Sequence, residues 1–592
     1  MCQFYMNKNL INVTKGIEKA ELAITNGKIV NVYSKEIYNG GVAVYGDKIA
    51  AIGDIDYTIG PNTKVIDAKG KYLLPGFIDG HIHPESTNLS IRQFAEIVLT
   101  HGTTVIMADM HEVGVVGGIS AIDSVLKEAE NTPLKTYFVV PSHVPFSPNL
   151  ETSGGHIDSK IVKEALKRPD AVGLSEIVSA YVLSGSTDLM SSIDLTIKAK
   201  KSLQGHMPET LGPELQTCIA SGIMTDHESL STQDALERIR LGCHLMMREG
   251  SVAHNLVDCL KVITEHNIDS TMCSIVTDDL HTTDAVEKGH LDESIRIALS
   301  NGIDFITAVQ MVTLNAARAF NLDREIGSLT PGRRADINIT TGPEKFSIES
   351  VIAGGKLVVE NTKLVERISA VQHDPSLLNT IKLKRKVTAE DFIITVDNKA
   401  KFANVKAMRT LEYIPITIGQ DVKLPVSDGI IQSDTNQDVI YISQVERYGK
   451  NGNIGKAFMA GFNLKTGAIA STIGHDNHNI IVLGTNHGDM ALAVNRLAEI
   501  GGGQIVVNDN NIVYEIPLPI LGLLSDKDAW SLSEDKKTIN ALTHSFGCTI
   551  GYPFMFLSFI SLAAIPQYAV TDHGFIDVAQ QKVIDPIIGI EY

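Results

Sequence analysis

The sequence predicts an α/β protein centred on a (β/α)8 barrel, with a small β-sandwich built from both flanks of the barrel and an additional C-terminal α+β domain. The chain has 592 residues, and a single barrel needs only roughly 250. In its middle part, apolar runs such as TTVIMAD and TYFVVPS alternate with helical stretches such as SAIDSVLKEAE and SIRIALSNG. This alternation is typical of a parallel barrel, whose strands are joined by helices.

Four segments follow from this pattern. We assign residues 1–73 to the first part of the β-sandwich, 74–325 to the barrel, 326–385 to the second part of the sandwich and 386–592 to the C-terminal domain. Short β-rich runs between turn residues occur on both sides of the barrel, for example KIVNVYS before it and SVIAGGKLVVEN after it. In the last segment the helix DMALAVNRLAEI should stop at the glycine triplet 501–503, which favours a helix end over a phosphate cradle.

Composition and charge exclude several classes of protein. Hydrophobic residues make up 44% of the chain and charged residues 20%, the balance of a folded protein with a large core. The formal net charge of -18 would repel phosphate groups. Because nucleic acids and anionic membranes are bound mainly through clustered Lys and Arg, we expect neither as a partner.

The cysteines indicate the compartment. They are scattered and form no CxxC pair, which favours reduced intracellular thiols over disulfides or a zinc ribbon. The six are Cys2, Cys218, Cys243, Cys259, Cys273 and Cys548. The start MCQFYMNKNL lacks the apolar core of a signal peptide, and the apolar segment MFLSFISLAAI is shorter than the roughly 20 residues of a membrane span. We therefore expect a cytoplasmic protein.

A histidine pair is the strongest local signal for chemistry. In GFIDGHIHPES, His81 and His83 follow an apolar strand and share one face, because strand side chains alternate with a period of two. Two imidazoles on one face can bind one metal ion. With 19 histidines in the chain, such a pair also arises by chance.

Further polar residues follow other apolar runs. They are Glu176 after AVGLS, His206 in SLQGHMP, His227 in GIMTDHE and Asp278 in SIVTDDL. Each alone reads as an ordinary polar residue at a strand end. In a barrel, however, the carboxyl ends of all strands converge on one face, so these side chains can meet the histidine pair in one pocket. The complete order HxH, E, H, H, D favours a metal site.

This order resembles the amidohydrolase superfamily of metal-dependent hydrolases, and the surrounding words resemble its bacterial adenine deaminases. The motifs in the barrel region are PGFIDGHIHPES, HGTTVIMAD with MHE, TDHESLSTQDALERIRLG, MMREGS, TDD with GHLDESIR, and TLNAARAFNL with GSLTPGRRADI. In the last segment they are GNIGKAFMAGFNLKTGAIAS, HDNHNIIVLGTN, DMALAVNRL, YPFMFLSF and VTDHGFIDV. The resemblance covers nearly the whole chain.

The resemblance implies a ligand set and a reaction. The metal ligands would be His81, His83, Glu176, His206, His227 and Asp278. Glu176 would bridge two divalent ions where many relatives use a carboxylated lysine. Imidazole and carboxylate ligands suit Mn(II) or Fe(II), with Zn as a third choice. A water activated by the two ions would attack C6 of adenine, Asp278 would relay its proton, and ammonia would leave to give hypoxanthine, a reaction of purine salvage.

Other residues are candidates for contacts with a purine base. Glu112 is a candidate donor of the proton to N1, with His111 beside it, although Glu112 also reads as an exposed loop carboxylate. Asp279 and His281 could touch the purine or support Asp278. Glu85 could contact substrate or metal, or make a supporting hydrogen bond. A homo-oligomer, dimer or higher, is expected.

Several departures from the family pattern leave the substrate open. Met110 stands where a proline is usual and His143 where a cysteine is usual, which keeps an N6-substituted adenine or another aminopurine as an alternative. A cyclic-amide hydrolase of the same superfamily is a second alternative, and a non-catalytic purine-binding relative is a third. In the C-terminal segment, the spacing of His475, Asp476 and His478 suggests a metal site, but a hydrogen-bonded cluster or a loop closing over the barrel or a neighbouring subunit is favoured.

Overall fold

The computed structural model describes residues 7–411, 414–564 and 567–592, so Cys2 lies outside the described part. A helix and five strands precede the barrel. They are α1 (Lys8–Thr14), β1 (Leu22–Asn31), β2 (Glu36–Tyr45), β3 (Lys48–Gly53), β4 (Lys64–Asp67) and β5 (Tyr72–Pro75). Short runs rich in buried apolar residues and separated by Gly and Asn turns form these strands. Strand β2 pairs antiparallel with β1 and β3, whereas β1 pairs parallel with β4 and β5.

Eight parallel strands form the barrel. They are β6 (Phe77–Ile82), β7 (Thr103–Asp109), β8 (Lys135–Pro141), β9 (Ala171–Val178), β10 (Ser202–His206), β11 (Thr225–Asp226), β12 (His244–Arg248) and β13 (Cys273–Val276). Each strand pairs with the next along the chain. A parallel bridge between Ile82 and Asp278 brings the first and last strands together and closes the barrel. The predicted barrel is thereby confirmed.

Twelve α-helices lie within the barrel region and cover its strands. They are α2 (Ile91–Thr100), α3 (His111–Ala129), α4 (Ser159–Ala165), α5 (Ser179–Leu183), α6 (Thr187–Lys198), α7 (Gly212–Ala220), α8 (Thr232–Arg240), α9 (Leu256–Thr264), α10 (Thr282–Glu287), α11 (Leu291–Ser300), α12 (Phe305–Met311) and α13 (Leu314–Ala319). Several begin at a side-chain cap, as in α8, where the Ser231 hydroxyl accepts a hydrogen bond from the backbone N–H of Asp234.

The chain then returns to the first sheet. The returning strands are β14 (Ile337–Thr340), β15 (Ile348–Ala353), β16 (Lys356–Glu360) and β17 (Lys363–Leu364). Strand β14 pairs with β5, and β5 pairs with β1, so strands from both flanks of the barrel join in one nine-stranded sheet. Its two faces bury separate apolar clusters, one containing Ile24 and the other its neighbour Ala23.

The C-terminal segment adds two further sheets and three α-helices. Its strands are β18 (Phe402–Leu411), β19 (Ile414–Ser427), β20 (Ile430–Ile431), β21 (Val439–Val445), β22 (Ile454–Ala460), β23 (Ala468–Ser471), β24 (Ile480–Gly484), β25 (Gly503–Asn508), β26 (Asn511–Pro517), β27 (Tyr568–Thr571), β28 (Gly574–Asp577), β29 (Lys582–Ile584) and β30 (Ile587–Glu591). Its helices are α14 (His487–Glu499), α15 (Ala529–Ser545) and α16 (Pro553–Phe559). Strands β27 to β29 form a separate small sheet, and the others form one ten-stranded sheet.

The glycine triplet ends α14, as the sequence predicts. Gly501, Gly502 and Gly503 all have positive φ angles, which side chains rarely adopt. A Cβ at Gly502 would lie 2.4 Å from the Cα of Gly522, so the two backbone segments can approach this closely because residue 502 has no side chain. The triplet is a tight connection between α14 and β25.

The remaining helical pieces are short. Among the described residues, six 3-10 helices occur at Asp56–Thr58, Pro84–Thr87, Ser270–Met272, Pro343–Lys345, Pro375–Leu377 and Ala389–Phe392. The apolar segment near residue 555 begins as the buried helix α16, whereas its last residue, Ile565, lies outside the described residues. Across the described ranges, no helix is long and apolar enough to cross a membrane.

Candidate metal centre and adjoining cavity

The six predicted ligands lie together at the carboxyl ends of the barrel strands. His81 is in β6 with His83 directly after it, Glu176 is in β9, His206 ends β10, and His227 and Asp278 follow β11 and β13. Except for His206, which is slightly more open, all are buried. Glu176 and Asp278 have positive φ values of 52° and 59°. Left-handed backbone is uncommon in residues that carry a side chain, and at the ends of β9 and β13 it sets the direction of two proposed ligands.

Four of these side chains point their ligand atoms at one another. The Nε2 atom of His81 lies 3.5 Å from Oε1 of Glu176 and 3.4 Å from Oδ1 of Asp278. The Nε2 atom of His83 lies 3.6 and 3.5 Å from the same two oxygens. Ligands held about 2.1 Å from a tetrahedral ion are about 3.4 Å apart, so this spacing matches a metal site.

A second group shares Glu176 with the first. The Oε2 atom of Glu176 lies 2.8 Å from Nδ1 of His206, and its Oε1 lies 3.8 Å from Nε2 of His227. The ring of His227 stacks on that of His81 with 4.0 Å between centroids, which holds the two groups side by side. Glu228 also enters this group, because its Oε1 lies 3.4 Å from Nε2 of His227.

Several buried polar atoms of both groups lack ordinary hydrogen-bond partners. Both ring nitrogens of His81, Nε2 of His206, Nδ1 of His83 and His227, and Oε1 of Glu176 are buried and make no hydrogen bond among the described residues, whereas Nδ1 of His206 faces Glu176 at 2.8 Å. Buried polar atoms are nearly always hydrogen-bonded in native proteins, so a cluster of unpaired ones indicates a missing ligand. Nitrogen and oxygen donors without thiolate suit Mn, Fe or Zn. The residues therefore fit divalent cations.

Arg248 is a site residue that the sequence analysis missed. Its Nη1 donates to Oδ2 of Asp278 at 2.9 Å and to Oε1 of Glu228 at 2.7 Å. Burial opposes ionisation of Glu228, but Arg248 and His206 hold the pKa of Glu228 below its ordinary value. The only sequence signal was the position of Arg248 within MMREGS, at the end of β12.

A cavity lies beside these groups, between the barrel and the C-terminal segment. Its barrel wall is polar, and its opposite wall combines apolar side chains with polar ones such as His475, His478 and Lys536. The barrel wall consists of Glu85, Ser86, Asn88, Glu112, Asp279 and His281. The apolar residues of the opposite wall are Ile473, Leu523, Phe554, Met555 and Phe559. A flat heteroaromatic ring with polar edges has this same combination of surfaces.

Glu112 joins the barrel to the C-terminal segment. It lies in the first turn of α3, and its Oε1 is 3.2 Å from Nδ1 of His475. Its Oε2 makes a short contact with Nε2 of His478. The loop that carries both histidines therefore contacts the barrel at the cavity. Its role as a closing loop or a hydrogen-bonded cluster stays a prediction, because the three side chains also lie close enough together to hold a cation.

Comparisons with known proteins bear on these features. An amidohydrolase family model matches residues 72–358, and a model of the adenine deaminase C-terminal domain matches residues 415–582. An adenine deaminase of Clostridium botulinum (strain Langeland) is 39% identical over 579 residues, covering 97% of this chain and 96% of the relative. An adenine deaminase 1 of Carboxydothermus hydrogenoformans is 39% identical, covering 98% of each chain.

The chain belongs to the adenine deaminase family. An adenine deaminase 4 of Rhizobium meliloti is 38% identical over 574 residues, covering 97% of this chain and 96% of the relative. Among solved structures, a crystal structure of an adenine deaminase is 18% identical with a TM-score of 0.44, covering 57% of this chain and 99% of that one. A β-aspartyl dipeptidase from Fervidobacterium islandicum is 17% identical with a TM-score of 0.46, covering 58% of this chain and 98% of that one.

Most of the predicted substrate-binding residues of this adenine deaminase family member line the cavity. The Oε1 atom of Glu85 accepts a hydrogen bond from the backbone N–H of Val113 at 3.4 Å. Burial raises the pKa of Glu85 to about 8. Asp279 accepts a hydrogen bond from Ser86. Burial and the nearby Lys536 lower the pKa of His281 to about 3, so its ring is neutral.

His111 lies apart from the cavity lining. Its ring packs edge-on against Phe146 at 5.4 Å between centroids, and both of its ring nitrogens are buried without a partner in the described part of the chain. His143 stacks on the same Phe146 ring, and its Nδ1 lies 2.8 Å from the Ser142 hydroxyl. Burial lowers the pKa of His143 to about 4. His143, the residue at which this chain departs from the usual family pattern, is therefore a neutral ring packed on Phe146.

Lys536 is a second residue that the sequence analysis missed. It lies in α15 and lines the cavity, where its Nζ donates to Oδ1 of Asn88 at 2.6 Å and to Oε1 of Gln504 at 2.8 Å. Burial lowers the pKa of Lys536 to about 7. No sequence signal distinguished this lysine from its neighbour Lys537, which is half-buried and lies outside the cavity lining.

Proposed function

We propose that this protein hydrolyses adenine to hypoxanthine and ammonia. The observation that carries the proposal is identity of 39% with adenine deaminases along 97% of the chain, including the C-terminal segment. The two ligand groups and the cavity beside them support it. An N6-substituted adenine or a cyclic amide is not favoured, because the relatives that match nearly the whole chain bear the adenine deaminase name.

We assign the divalent cations to the residues that converge at the barrel mouth. The six proposed ligands are His81, His83, Glu176, His206, His227 and Asp278. Glu176 is the shared ligand, because its Oε1 faces His81 and His83 while its Oε2 faces His206. Mn(II) or Fe(II) is the proposed metal, with Zn as the alternative, since the donors are imidazole and carboxylate. When bound, a pair of such cations supplies an ionisable water, whose pKa can fall from 15.7 to about 7.

Asp278 is the proposed proton carrier for that water. As the water oxygen adds to C6 of adenine, Asp278 takes one proton and returns it to the amino group, which leaves as ammonia. Arg248 holds the Oδ2 atom of Asp278 at 2.9 Å and leaves Oδ1 facing His81 and His83. We also assign a catalytic role to Glu176, which holds both ligand groups at fixed spacing.

A second proton must reach the ring nitrogen N1, because the product carries hydrogen there. Glu112 is the residue that the sequence predicts for this role, and we propose that it acts from the barrel side, where it lines the cavity, through the histidine that it holds. We assign Glu85, Asp279 and His281 to the edges of the purine. His111 is assigned to the outer wall of the site, behind Phe146.

The cellular setting is also a proposal. The five cysteines within the described residues are free buried thiols, a state typical of a reducing compartment, so we place the protein in the cytoplasm. Recycling of adenine there would serve purine salvage. A homo-oligomer remains a prediction from sequence resemblance.

Conversion of adenine to hypoxanthine by the purified protein loaded with Mn(II), followed by ultraviolet absorbance, tests the proposal. A doubly substituted control, His81→Ala with His83→Ala, removes two proposed ligands without touching the cavity. Rapid conversion that is lost in the control supports both the reaction and the metal site. An inactive wild-type protein that binds metal contradicts adenine as the substrate.

A further inference from the structure

Glu112, His475 and His478 form a cluster of interacting side chains that lies outside the six proposed metal ligands. They come from α3 and from the loop after β23, more than 360 residues apart in the chain, with separations of 363 and 366. All three are buried or nearly so, and all line the cavity that adjoins the metal groups. Two readings compete: a third cation site, and a hydrogen-bonded unit that carries a proton.

The hydrogen bond at the far side of His478 distinguishes these readings. The backbone N–H of Gly474 donates to Nδ1 of His478 at 3.3 Å. Nδ1 therefore bears the lone pair, and the ring hydrogen of the neutral imidazole is on Nε2. An Nε2 that carries hydrogen donates to Glu112 and has no lone pair for a cation. Metal-binding histidines show the opposite arrangement, in which the distant nitrogen is the donor.

His475 differs from His478 in its surroundings. Its Nδ1 faces two carboxylates, with Oε1 of Glu112 at 3.2 Å and Oδ1 of Asp476 at 3.4 Å. Two acceptors at one nitrogen require Nδ1 to be the donor. The ring stacks on Phe559 at 4.6 Å between centroids, which fixes its orientation, and the Ser561 hydroxyl donates to its backbone carbonyl.

The other ring nitrogen of His475 is available to a ligand. Within the described part of the chain, no hydrogen bond or ion pair engages its Nε2. The residue is part of the cavity lining, together with Glu85 and Asp279 of the barrel. A second proton on this ring is stabilised by the carboxylates at Nδ1 and would be presented on the Nε2 side.

The charges of the three residues agree with this geometry. Although burial opposes it, the neighbouring histidines hold the pKa of Glu112 well below its ordinary value. Burial likewise works against a charged His475, but Glu112 raises the pKa of His475 well above its ordinary value. Burial lowers the pKa of His478. The unit is thus a carboxylate between one protonated and one neutral imidazole.

We propose that His475, held by Glu112, is the residue that donates the proton to the ring nitrogen of the purine, and that the C-terminal domain thereby supplies a catalytic group to the barrel. The inference rests on the proposed adenine deaminase activity. His478 is a positioning residue, because its N–H fixes the second oxygen of Glu112. The active site would then lie between the barrel and the C-terminal domain, with catalytic residues from both.

The protons balance in this scheme. Addition of a water oxygen to C6 breaks the N1–C6 π bond, and the electron pair on N1 takes the proton from Nε2 of His475. Of the two water protons, one passes through Asp278 to the leaving ammonia. The other is released when the C6–O double bond forms and restores the proton on His475. The products are hypoxanthine with hydrogen on N1 and ammonia.

The pH dependence of kcat/KM tests this assignment, because a proton donor must hold its proton. The groups that face His475 are Glu112 and Asp279 from the barrel and Asp476 and His478 from its own loop, with Glu85 and Lys536 further along the cavity. The Mn(II)-loaded full-length chain should lose activity on the alkaline side as His475 gives up its proton. His475→Gln should lower kcat by about 10²- to 10⁴-fold and abolish that alkaline limb, with metal content unchanged.

Two further variants provide a test that does not depend on whether His475→Gln folds correctly. Glu112→Gln leaves His475 in place but removes the negative charge, so its alkaline limb should move to lower pH. His478→Gln keeps an N–H donor for Glu112 and should retain activity within about tenfold of wild type, the scale of one hydrogen bond. His573→Gln is the matched control, since His573 also joins the C-terminal segment to the barrel, 3.1 Å from the Thr152 hydroxyl, but outside the cavity lining.

The outcomes separate the hypotheses. Loss of the limb in His475→Gln and its shift in Glu112→Gln, with His573→Gln like wild type, support the inference. An unchanged limb in both variants overturns it while leaving the proposed function intact. Loss of one bound metal ion in either variant also overturns it, in favour of a third cation site. A wild-type protein that releases no ammonia from adenine overturns both proposals.

Discussion

The Nη1 atom of Arg248 donates to the Oδ2 atom of Asp278 across 2.9 Å. The same guanidinium binds both oxygens of Glu228, at 2.7 and 3.0 Å. All three side chains are buried, so the interaction is little screened by water. Arg248 therefore fixes both the rotamer and the charge of the carboxylate that we propose carries the water proton.

Arg248→Lys should lower kcat roughly 10- to 100-fold, because a charge-assisted hydrogen bond contributes about 1.5–3 kcal/mol and a single ammonium cannot replace the planar fork. Steady-state kinetics on adenine with Mn(II), together with metal analysis, measure this effect. Arg240→Lys, at the exposed end of α8, is the control. A kcat equal to that of wild type would show that Asp278 does not depend on Arg248.

Removal of the metal should abolish activity and lower thermal stability. Without a cation, several buried imidazole nitrogens lack partners among the described residues, and their desolvation is uncompensated. A cation at 1,000 times its Kd stabilises the folded state by about 4 kcal/mol. Calorimetry before and after chelation, and again after addition of Mn(II) or Fe(II), measures the change.

Glu176→Ala should disturb both ligand groups at once, since its two oxygens face different histidines. Its bound metal should fall below the content of about two ions that we propose for wild type. Glu164→Ala, on the exposed surface of α4, is the control. A full metal content in Glu176→Ala would contradict the shared-ligand assignment.

Lys536 should make stability depend on pH in a defined window. Burial lowers its pKa from 10.5 to about 7, so between these values the unfolded chain binds the proton and the folded chain does not. Stability therefore rises with pH across this window, by up to about 1.4 kcal/mol per pH unit. Lys536→Met should flatten this rise, whereas Lys537→Met, which removes a half-buried lysine outside the cavity, should keep it.

Urea unfolding of the three proteins at pH 7, 8.5 and 10, at equal metal concentration, measures the free-energy differences. The comparison with Lys537→Met removes the pH dependence of metal binding, which all three proteins share. If the free energy of unfolding changed with pH in the same way in wild type and Lys536→Met, the lowered pKa of Lys536 would be ruled out.

Alanine substitutions in the glycine triplet separate the energetic cost of a positive φ angle from the cost of a steric clash. Gly501→Ala and Gly502→Ala both place a side chain at positive φ, which costs roughly 1–2 kcal/mol. Only at Gly502 would the new Cβ collide, at 2.4 Å from the Cα of Gly522, whereas at Gly501 the nearest atom lies 3.8 Å away. Gly502→Ala should therefore be the more destabilising by roughly 1–3 kcal/mol. Equal unfolding midpoints would contradict the close approach of the two segments.

The barrel and its ligand order could be predicted because both are local signals. His81 and His83 share a face through the two-residue period of β6, and Glu176 and Asp278 each stand directly at or after an apolar strand. Barrel geometry then brings all strand ends to one rim. The boundaries at residues 73, 325 and 385 and the roles of individual site residues stay predictions.

Local patterns carry no information about which distant side chains meet. The fold class, the convergence of the six proposed ligands and the helix end at the glycine triplet follow from hydrophobic periodicity and residue type, which the sequence states directly. The pairing of Arg248 with Asp278, and of Glu112 with His475 and His478, was decided only by the tertiary structure. Hydrogen bonds and desolvation depend on distances of a few ångströms, and only the packing of the C-terminal domain on the barrel mouth sets those distances.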